Sequence, residues 1–137
     1  MFEFLDHPSE TLVRVKASSI NEVFNDAATA LFEIMTDTKI IQPAESYQIQ
    51  ASSTERHLLL IDWLNDLILL HESKNIFLSN FEVKVSQTSA WNLKATVKGE
   101  RVQAHHERRS HAKSATYGQL QWIESDHGHE VLFVIDI

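Results

Sequence analysis

Apolar and polar residues alternate along the chain with two different periods, which separate predicted strands from predicted helices. Residues 11–17 alternate with a period of two, as a half-buried strand does, and residues 2–5 can form a short strand before them. Apolar residues then recur at helical spacing behind Ser19 and Glu22, which stand three residues apart as in a capping box. The pattern predicts a first helix between Ser19 and Asp37.

The rest of the chain continues with one strand, one helix and a series of strands. Residues 47–51 alternate again, and Ser53 and Thr54 can cap a second helix with apolar positions between residues 58 and 70. From residue 76 onwards every segment has strand character, with strands predicted at 81–85, 91–97, 120–122 and 131–135 and hairpin turns at 86–90 and 125–128. This order predicts an α+β fold, a two-layer sandwich in which a mainly antiparallel sheet carries two helices on one face. We expect a single domain spanning residues 1–137.

Composition narrows the classes of function. The chain has no cysteine, which excludes disulfides, thiolate catalysis and thiolate zinc sites. No apolar run approaches the roughly 20 residues of a membrane span, and the first residues do not resemble a signal peptide. We therefore expect a cytoplasmic protein without a membrane partner. The pattern does not predict an oligomeric state.

The charge balance argues against autonomous nucleic-acid binding. The formal net charge is −7, whereas a nucleic-acid-binding domain is normally basic on at least one face. Basic residues are dense only in residues 105–113, which form either a solvated loop between strands or a contact with RNA or an acidic protein surface. The eight histidines lack the spacing of a hydrolytic zinc site and are expected at the surface. Because the chain has neither a glycine-rich phosphate loop nor a Ser-His-Asp arrangement with a nucleophile elbow, we do not expect a complete enzyme.

Acidic groups near the two ends of the sequence are the strongest candidates for chemistry. Asp6, His7 and Glu10 precede the second predicted strand, and Asp136 lies on the last one, before the carboxylate of Ile137. If these two strands are neighbours, Glu10, Asp136 and the Ile137 carboxylate can converge. Oxygen ligands with net negative charge suit Ca²⁺, Mg²⁺ or Mn²⁺. The alternative is that these acids are simply exposed.

The chain also resembles a known family. Residues 4–10 (Phe-Leu-Asp-His-Pro-Ser-Glu) resemble the opening motif of the archeases, usually Asp-His-Thr-Ala-Asp. The resemblance continues in order, and at the spacing of the family, through residues 22–37, 60–71, 79–83, 97–100, 113–117 and 134–137. It covers essentially the whole chain, and the collinearity of the blocks carries it rather than any single block.

This resemblance implies an accessory protein of the GTP-dependent RtcB-type tRNA-splicing RNA ligase, one that promotes guanylylation of a histidine on the ligase. RNA would be reached only through the ligase. The resemblance further implies a site for Ca²⁺, Mg²⁺ or Mn²⁺ with Glu10 and Asp136 as ligands and the Ile137 carboxylate as a third contributor. Five more residues are candidates to contact the partner or to support these ligands: Asp6, His7, His106, Lys113 and Tyr117.

Four positions depart from the family pattern. Glu10 replaces an aspartate and is one methylene longer, Pro8 and Ser9 replace Thr-Ala, and Gly118 stands where the family often has a histidine. These changes leave open an alternative function, that of a chaperone-like or modulatory binding protein for another nucleic-acid-modifying enzyme.

Overall fold

The computed structural model describes residues 1–5 and 10–137 and contains seven strands and two α-helices within these ranges. In chain order the elements are β1 (Phe2–Leu5), β2 (Glu10–Ala17), α1 (Ile20–Met35), β3 (Glu45–Ser53), α2 (Arg56–Lys74), β4 (Ile76–Gln87), β5 (Trp91–Arg101), β6 (Ser114–Ser125) and β7 (Gly128–Asp136). A short 3₁₀ helix, Thr38–Ile40, follows α1.

The strands form two antiparallel sheets. The first has the order β1-β2-β7-β6 and the second the order β3-β5-β4. The predicted α+β class, with antiparallel strands and two helices, is confirmed. The sequence did not predict that the final strands would separate, β4 and β5 into one sheet and β6 and β7 into the other. The chain therefore crosses between sheets in residues 102–113, which we call the crossing segment and which contains the dense basic residues.

The core lies where the two helices meet both sheets. Helix α1 contacts β2 and β4, and helix α2 contacts β3 and β6. Trp63 on α2 is fully buried, and its indole N–H donates to the Phe24 carbonyl of α1 at 3.0 Å. This bond satisfies a polar group that would otherwise be costly to bury. Across the described residues, neither helix has the length and apolar character needed to cross a membrane.

The two helix starts show one correct and one wrong prediction. The Ser19 hydroxyl accepts the N–H of Glu22 at 3.2 Å, so the predicted cap of α1 is confirmed. The prediction that Ser53 and Thr54 cap α2 is wrong. Strand β3 continues through Ser53, and the residue at the N-cap is Glu55, which makes no side-chain capping bond. Hydroxyl residues in an exposed strand that leads into a helix resemble a cap in the sequence pattern.

Candidate carboxylate site

Strand pairing brings the two predicted carboxylates together. Glu10 lies directly opposite Asp136 in the antiparallel pair of β2 and β7, and Ser114 on β6 lies opposite Asp136 from the other side. Directly opposed residues have Cβ atoms about 4.5–5.5 Å apart and point to the same sheet face. The Ser114 hydroxyl donates to Asp136 Oδ2 at 3.3 Å. We call Glu10, Asp136 and Ser114 the acidic row; all three are half-buried.

The pleat of β7 explains why Asp136 points away from the core. Val131, Phe133 and Ile135 are fully buried in the core cluster, as the period-two pattern predicted. Alternate residues of a strand point to opposite faces, so Asp136 belongs to the other face together with Val134. Val134 is also buried, yet it lies outside the main core cluster. The acidic row therefore lies next to the buried Val134 side chain, on the sheet face opposite the core.

The start of β6, which carries Ser114, is held from two sides. The Lys113 N–H donates to the Asp136 carbonyl at 2.8 Å. The Asn65 side chain on α2 accepts the Ala115 N–H at 2.8 Å and donates to the Ala115 carbonyl at 3.1 Å. These bonds fix Ser114 beside Asp136 and link the acidic row to helix α2.

The donor set of the acidic row consists of oxygen atoms only. Glu10 and Asp136 supply two carboxylates, and Ser114 supplies a hydroxyl that already contacts Asp136. Ile137 follows directly and is 38% exposed. Hard divalent cations prefer such ligands, and Ca²⁺ takes 6–8 of them, so a cation here would keep positions for water or for oxygens of a partner ligand. The residues therefore fit the predicted class of metal.

The other predicted residues are distributed around this row. Asp6 and His7 lie outside the described residues. Lys113 is exposed immediately before β6, and Tyr117 is 56% exposed in the same strand. The pairing of β6 with β7 shifts between Thr116 and Gln121, so Tyr117 sits in a bulge. Lys113 and Tyr117 are thus open to a partner close to the acidic row.

His106 is buried, which contradicts the expectation of surface histidines. Its Nδ1 accepts the Gln103 N–H at 3.0 Å, and its Nε2 lies 2.8 Å from Glu100 Oε1. Glu100 also accepts the Gln42 N–H at 3.1 Å. The backbone N–H of Gln42 and the His106 ring hold the pKa of Glu100 below its ordinary value. A buried ring that is bonded at both nitrogens cannot contact a partner at the surface.

Glu100, His105 and His106 form a second cluster of ligand atoms that the sequence analysis missed. In residues 1–5 and 10–137 these side chains place one ligand atom each within 4.8 Å of one another. The hydrogen bonds argue against a metal there. Because Nδ1 of His106 accepts an N–H, the proton of the neutral ring lies on Nε2 and is donated to Glu100. A metal at Nε2 would have to displace this proton and break the bond to Glu100. The cluster is better explained as a buried hydrogen-bonded pair with an exposed neighbouring ring.

Together the fold and the acidic row define a class of protein: an antiparallel α+β sandwich in which a late strand places a carboxylate opposite an early one. A family model for the Archease protein family matches residues 2–137. Protein archease of Methanothermobacter thermautotrophicus is 32% identical over 137 residues, which are 99% of this chain and 98% of that protein. Protein archease of Sulfurisphaera tokodaii is 32% identical over 138 residues, with the same coverage. The chain belongs to the archease family.

Solved structures share this fold. The solution structure of a Methanobacterium thermoautotrophicum protein matches with a TM-score of 0.88 at 32% identity and covers 99% of this chain and 98% of that one. The crystal structure of an archease from Thermotoga maritima, described as a possible chaperone, matches with a TM-score of 0.68 at 20% identity. It covers 97% of this chain and 94% of its own and supports the fold.

Proposed function

We propose that this archease-family protein activates an RtcB-type RNA ligase in tRNA splicing or RNA repair by promoting guanylylation of the ligase. The observation that carries the proposal is the direct opposition of Glu10 and Asp136 in the β2–β7 pair. The protein acts in the cytoplasm as an accessory factor rather than as an enzyme, and its part in guanylylation requires no RNA contact of its own.

The acidic row is the part of the molecule that would hold a divalent cation, Ca²⁺, Mg²⁺ or Mn²⁺. Glu10 and Asp136 are the ligands, with the Ser114 hydroxyl and the Ile137 carboxylate as further oxygen donors. When bound, such a cation neutralises phosphate charge and orients phosphate oxygens, which are the main tasks in nucleotidyl transfer. The Ser114 hydroxyl bonds the Asp136 carboxylate, and the Lys113 N–H bonds the Asp136 backbone carbonyl, so both the side chain and the backbone of Asp136 have partners on β6 or next to it.

The surroundings of the acidic row suit contact with a protein partner. Lys113 contributes an exposed positive charge, and Tyr117 contributes an exposed aromatic ring with a hydroxyl group. Tyrosine combines a large contact area with hydrogen bonding, and exposed aromatic residues are common anchors at interfaces. A ligase that docks at the acidic row would find both side chains exposed within three residues of Ser114 along the chain.

The test combines a functional measurement with a binding measurement. The rate of ligase guanylylation is measured with an RtcB-type ligase, GTP and Mn²⁺, with and without this protein. Mn²⁺ and Ca²⁺ binding is measured separately by calorimetry. We expect Asp136→Asn to lose at least about tenfold in stimulation, because charge stabilisation by a site of this kind is worth several kcal/mol. Glu10→Gln should act in the same direction.

Glu130→Gln is the matched control. Glu130 lies on the same face of β7 but is opposite Lys16, whose Nζ is 3.5 Å away. This variant removes an equal charge without touching the acidic row, so it should stimulate the ligase as the wild type does. If the wild type fails to accelerate guanylylation, or if Asp136→Asn and Glu130→Gln behave alike, the proposal is wrong.

A chaperone-like or modulatory role toward another nucleic-acid-modifying enzyme is the second candidate. It is suggested by the archease from Thermotoga maritima, which is described as a possible chaperone. Affinity purification separates the two candidates. Recovery of a methyltransferase or another client without any ligase, together with unchanged guanylylation, would favour the second.

A further inference from the structure

A basic cavity of about 230 Å³ lies beside the C-terminal end of α1. Its lining includes His71 and Phe77 from the region of α2 and β4, and Arg108, Arg109 and His111 from the crossing segment. We call this cavity the arginine pocket. In a chain with a formal net charge of −7, two arginines and two histidines line this cavity, and no carboxylate is among the lining residues that the structure describes.

The crossing segment is held in place by the helix next to it. The Arg109 N–H donates to the Met35 carbonyl at 2.9 Å, and the Ser110 N–H donates to the Ile34 carbonyl at 3.0 Å. The last carbonyls of a helix have no partner inside the helix, so the segment satisfies groups that would otherwise face water. Residues on this segment are therefore presented in a fixed arrangement before any ligand binds.

The two arginines have different tasks. The Arg109 guanidinium donates to the Glu33 carboxylate at 2.8 Å and to the Glu33 carbonyl at 2.9 Å, and it also bonds to Glu107. The Arg109 guanidinium therefore holds the crossing segment against α1. Arg108 is exposed and makes no ion pair with any residue in the described part of the chain. The folded protein thus offers the Arg108 guanidinium to a ligand.

The histidines add further hydrogen-bonding capacity to the same cavity. His71 Nδ1 lies 2.7 Å from the Ile76 carbonyl, so Nδ1 donates to that carbonyl and Nε2 of the neutral ring is left as a hydrogen-bond acceptor. The ring is fixed by stacking on Phe77 at 5.3 Å with an interplanar angle of 13°. His111 Nε2 lies 3.6 Å from Glu72, a long contact between two largely exposed groups that a stronger anion can replace.

We propose that the arginine pocket binds a phosphate group, supplied by a nucleotide or by the backbone of RNA. A guanidinium pairs with phosphate oxygens through parallel N–H bonds, and arginine is the residue that most often recognises phosphate in this way. Arg108 supplies the main charge, and the rings of His71 and His111 form part of the lining. The carboxylates of Glu33 and Glu107 engage Arg109, and neither lines the pocket.

This phosphate site is separate from the acidic row but lies near it along the chain. His111 and Lys113 are two residues apart, so their Cα atoms are at most about 7 Å from each other. Lys113 is bonded through its backbone to Asp136. The inference does not depend on the proposed ligase or on a metal, because it rests on the pocket residues alone.

The test is a titration of the full chain with inorganic phosphate, in which binding is measured from the NMR signals of the histidine rings or by calorimetry. We expect saturable binding in which the ring signals of His71 and His111 shift. Arg108→Gln should weaken binding about tenfold, the effect of losing a charge-assisted hydrogen bond. Lys84→Gln is the matched control, since it removes one exposed positive charge from β4, away from the pocket lining.

Two further arms identify the source of the phosphate. Guanosine monophosphate and a short single-stranded RNA are titrated against the wild type and both variants. Tighter binding of either probe than of inorganic phosphate, weakened by Arg108→Gln and not by Lys84→Gln, supports the proposal and names the source. Absence of binding by all three probes, or equal weakening by the two variants, overturns it. Unchanged thermal unfolding of Arg108→Gln shows that the variant is folded.

Discussion

Replacing Asn65 with alanine tests whether helix α2 holds the acidic row in place. Strand β6 is at the edge of its sheet, and the Asn65 side chain bonds both the N–H and the carbonyl of Ala115. Both backbone groups therefore point away from β7, and the side chain of Asn65 takes the place of a further strand. Alanine cannot make either bond, so the start of β6 loses its only partner on that side within the described residues.

The expected loss in the free energy of unfolding follows from the two hydrogen bonds between Asn65 and Ala115. Each contributes about 1 kcal/mol, and each buried backbone group left without a partner costs about 1–3 kcal/mol more. Asn65 is only half-buried, and the space left by truncation admits water, which reduces the second contribution. We therefore expect the free energy of unfolding to fall by about 2–4 kcal/mol. For a chain of this length, a loss of about 3 kcal/mol lowers the melting temperature by roughly 10 °C.

Urea denaturation gives the free energy of unfolding, and hydrogen exchange reports the Ala115 N–H directly. Asn21→Ala is the matched control, because Asn21 accepts a single bond, from the Val85 N–H at 2.8 Å, at an exposed position. Its expected cost is below about 1 kcal/mol. The reasoning is refuted if Asn65→Ala costs no more than Asn21→Ala, or if exchange at Ala115 does not accelerate.

Two further predictions concern pH and backbone contact. The Gln42 N–H and the His106 ring lower the pKa of Glu100 in the folded protein below its ordinary value of 4.5. The ionised Glu100 carboxylate therefore stabilises the fold at pH values above 4.5, and this contribution is lost as the pH falls through the lower pKa of the folded state. The stability difference between the wild type and Glu100→Gln should therefore shrink during acid titration followed by circular dichroism, and a constant difference would contradict this. Gly99→Ala should destabilise by at least about 3 kcal/mol, because a Cβ would lie 1.9 Å from a backbone oxygen of the facing strand. Gly118→Ala, whose Cβ would have its nearest neighbour at 3.9 Å, should change the unfolding free energy by less than about 0.5 kcal/mol in the same denaturation assay.

Local patterns in the sequence predicted those features that depend on neighbouring residues. The cap at Ser19 and the inward face of β7 follow from spacing within one element, and both are present. The opposition of Glu10 and Asp136 was predicted only on the condition that the first and last long strands are neighbours. The structure meets this condition, and the alternation of side chains along β7 then places Asp136 on the face away from the core.

Features that depend on which distant elements meet could not be predicted in this way. The burial of His106 results from Glu100 and Phe77, which belong to different strands, whereas the sequence around it has the composition of an exposed loop. The bonds from Asn65 to Ala115 join residues far apart in the chain. The division into two sheets has the same origin, because a strand pattern shows which face is apolar and not which strand lies beside it.

The crossing segment joins the two candidate sites through contacts near its middle and at its C-terminal end. Near its middle, the buried Thr36 hydroxyl donates to the Glu107 carbonyl at 2.8 Å, and at its end the Lys113 N–H donates to the Asp136 carbonyl at 2.8 Å. An anion at Arg108 and a cation at Asp136 would therefore both restrict the same short stretch of backbone. If each ligand favours the same arrangement of this stretch, each raises the affinity of the other by an equal factor, since the coupling between two binding equilibria is reciprocal. Measuring phosphate affinity with and without Mn²⁺, and Mn²⁺ affinity with and without phosphate, must then give one coupling value.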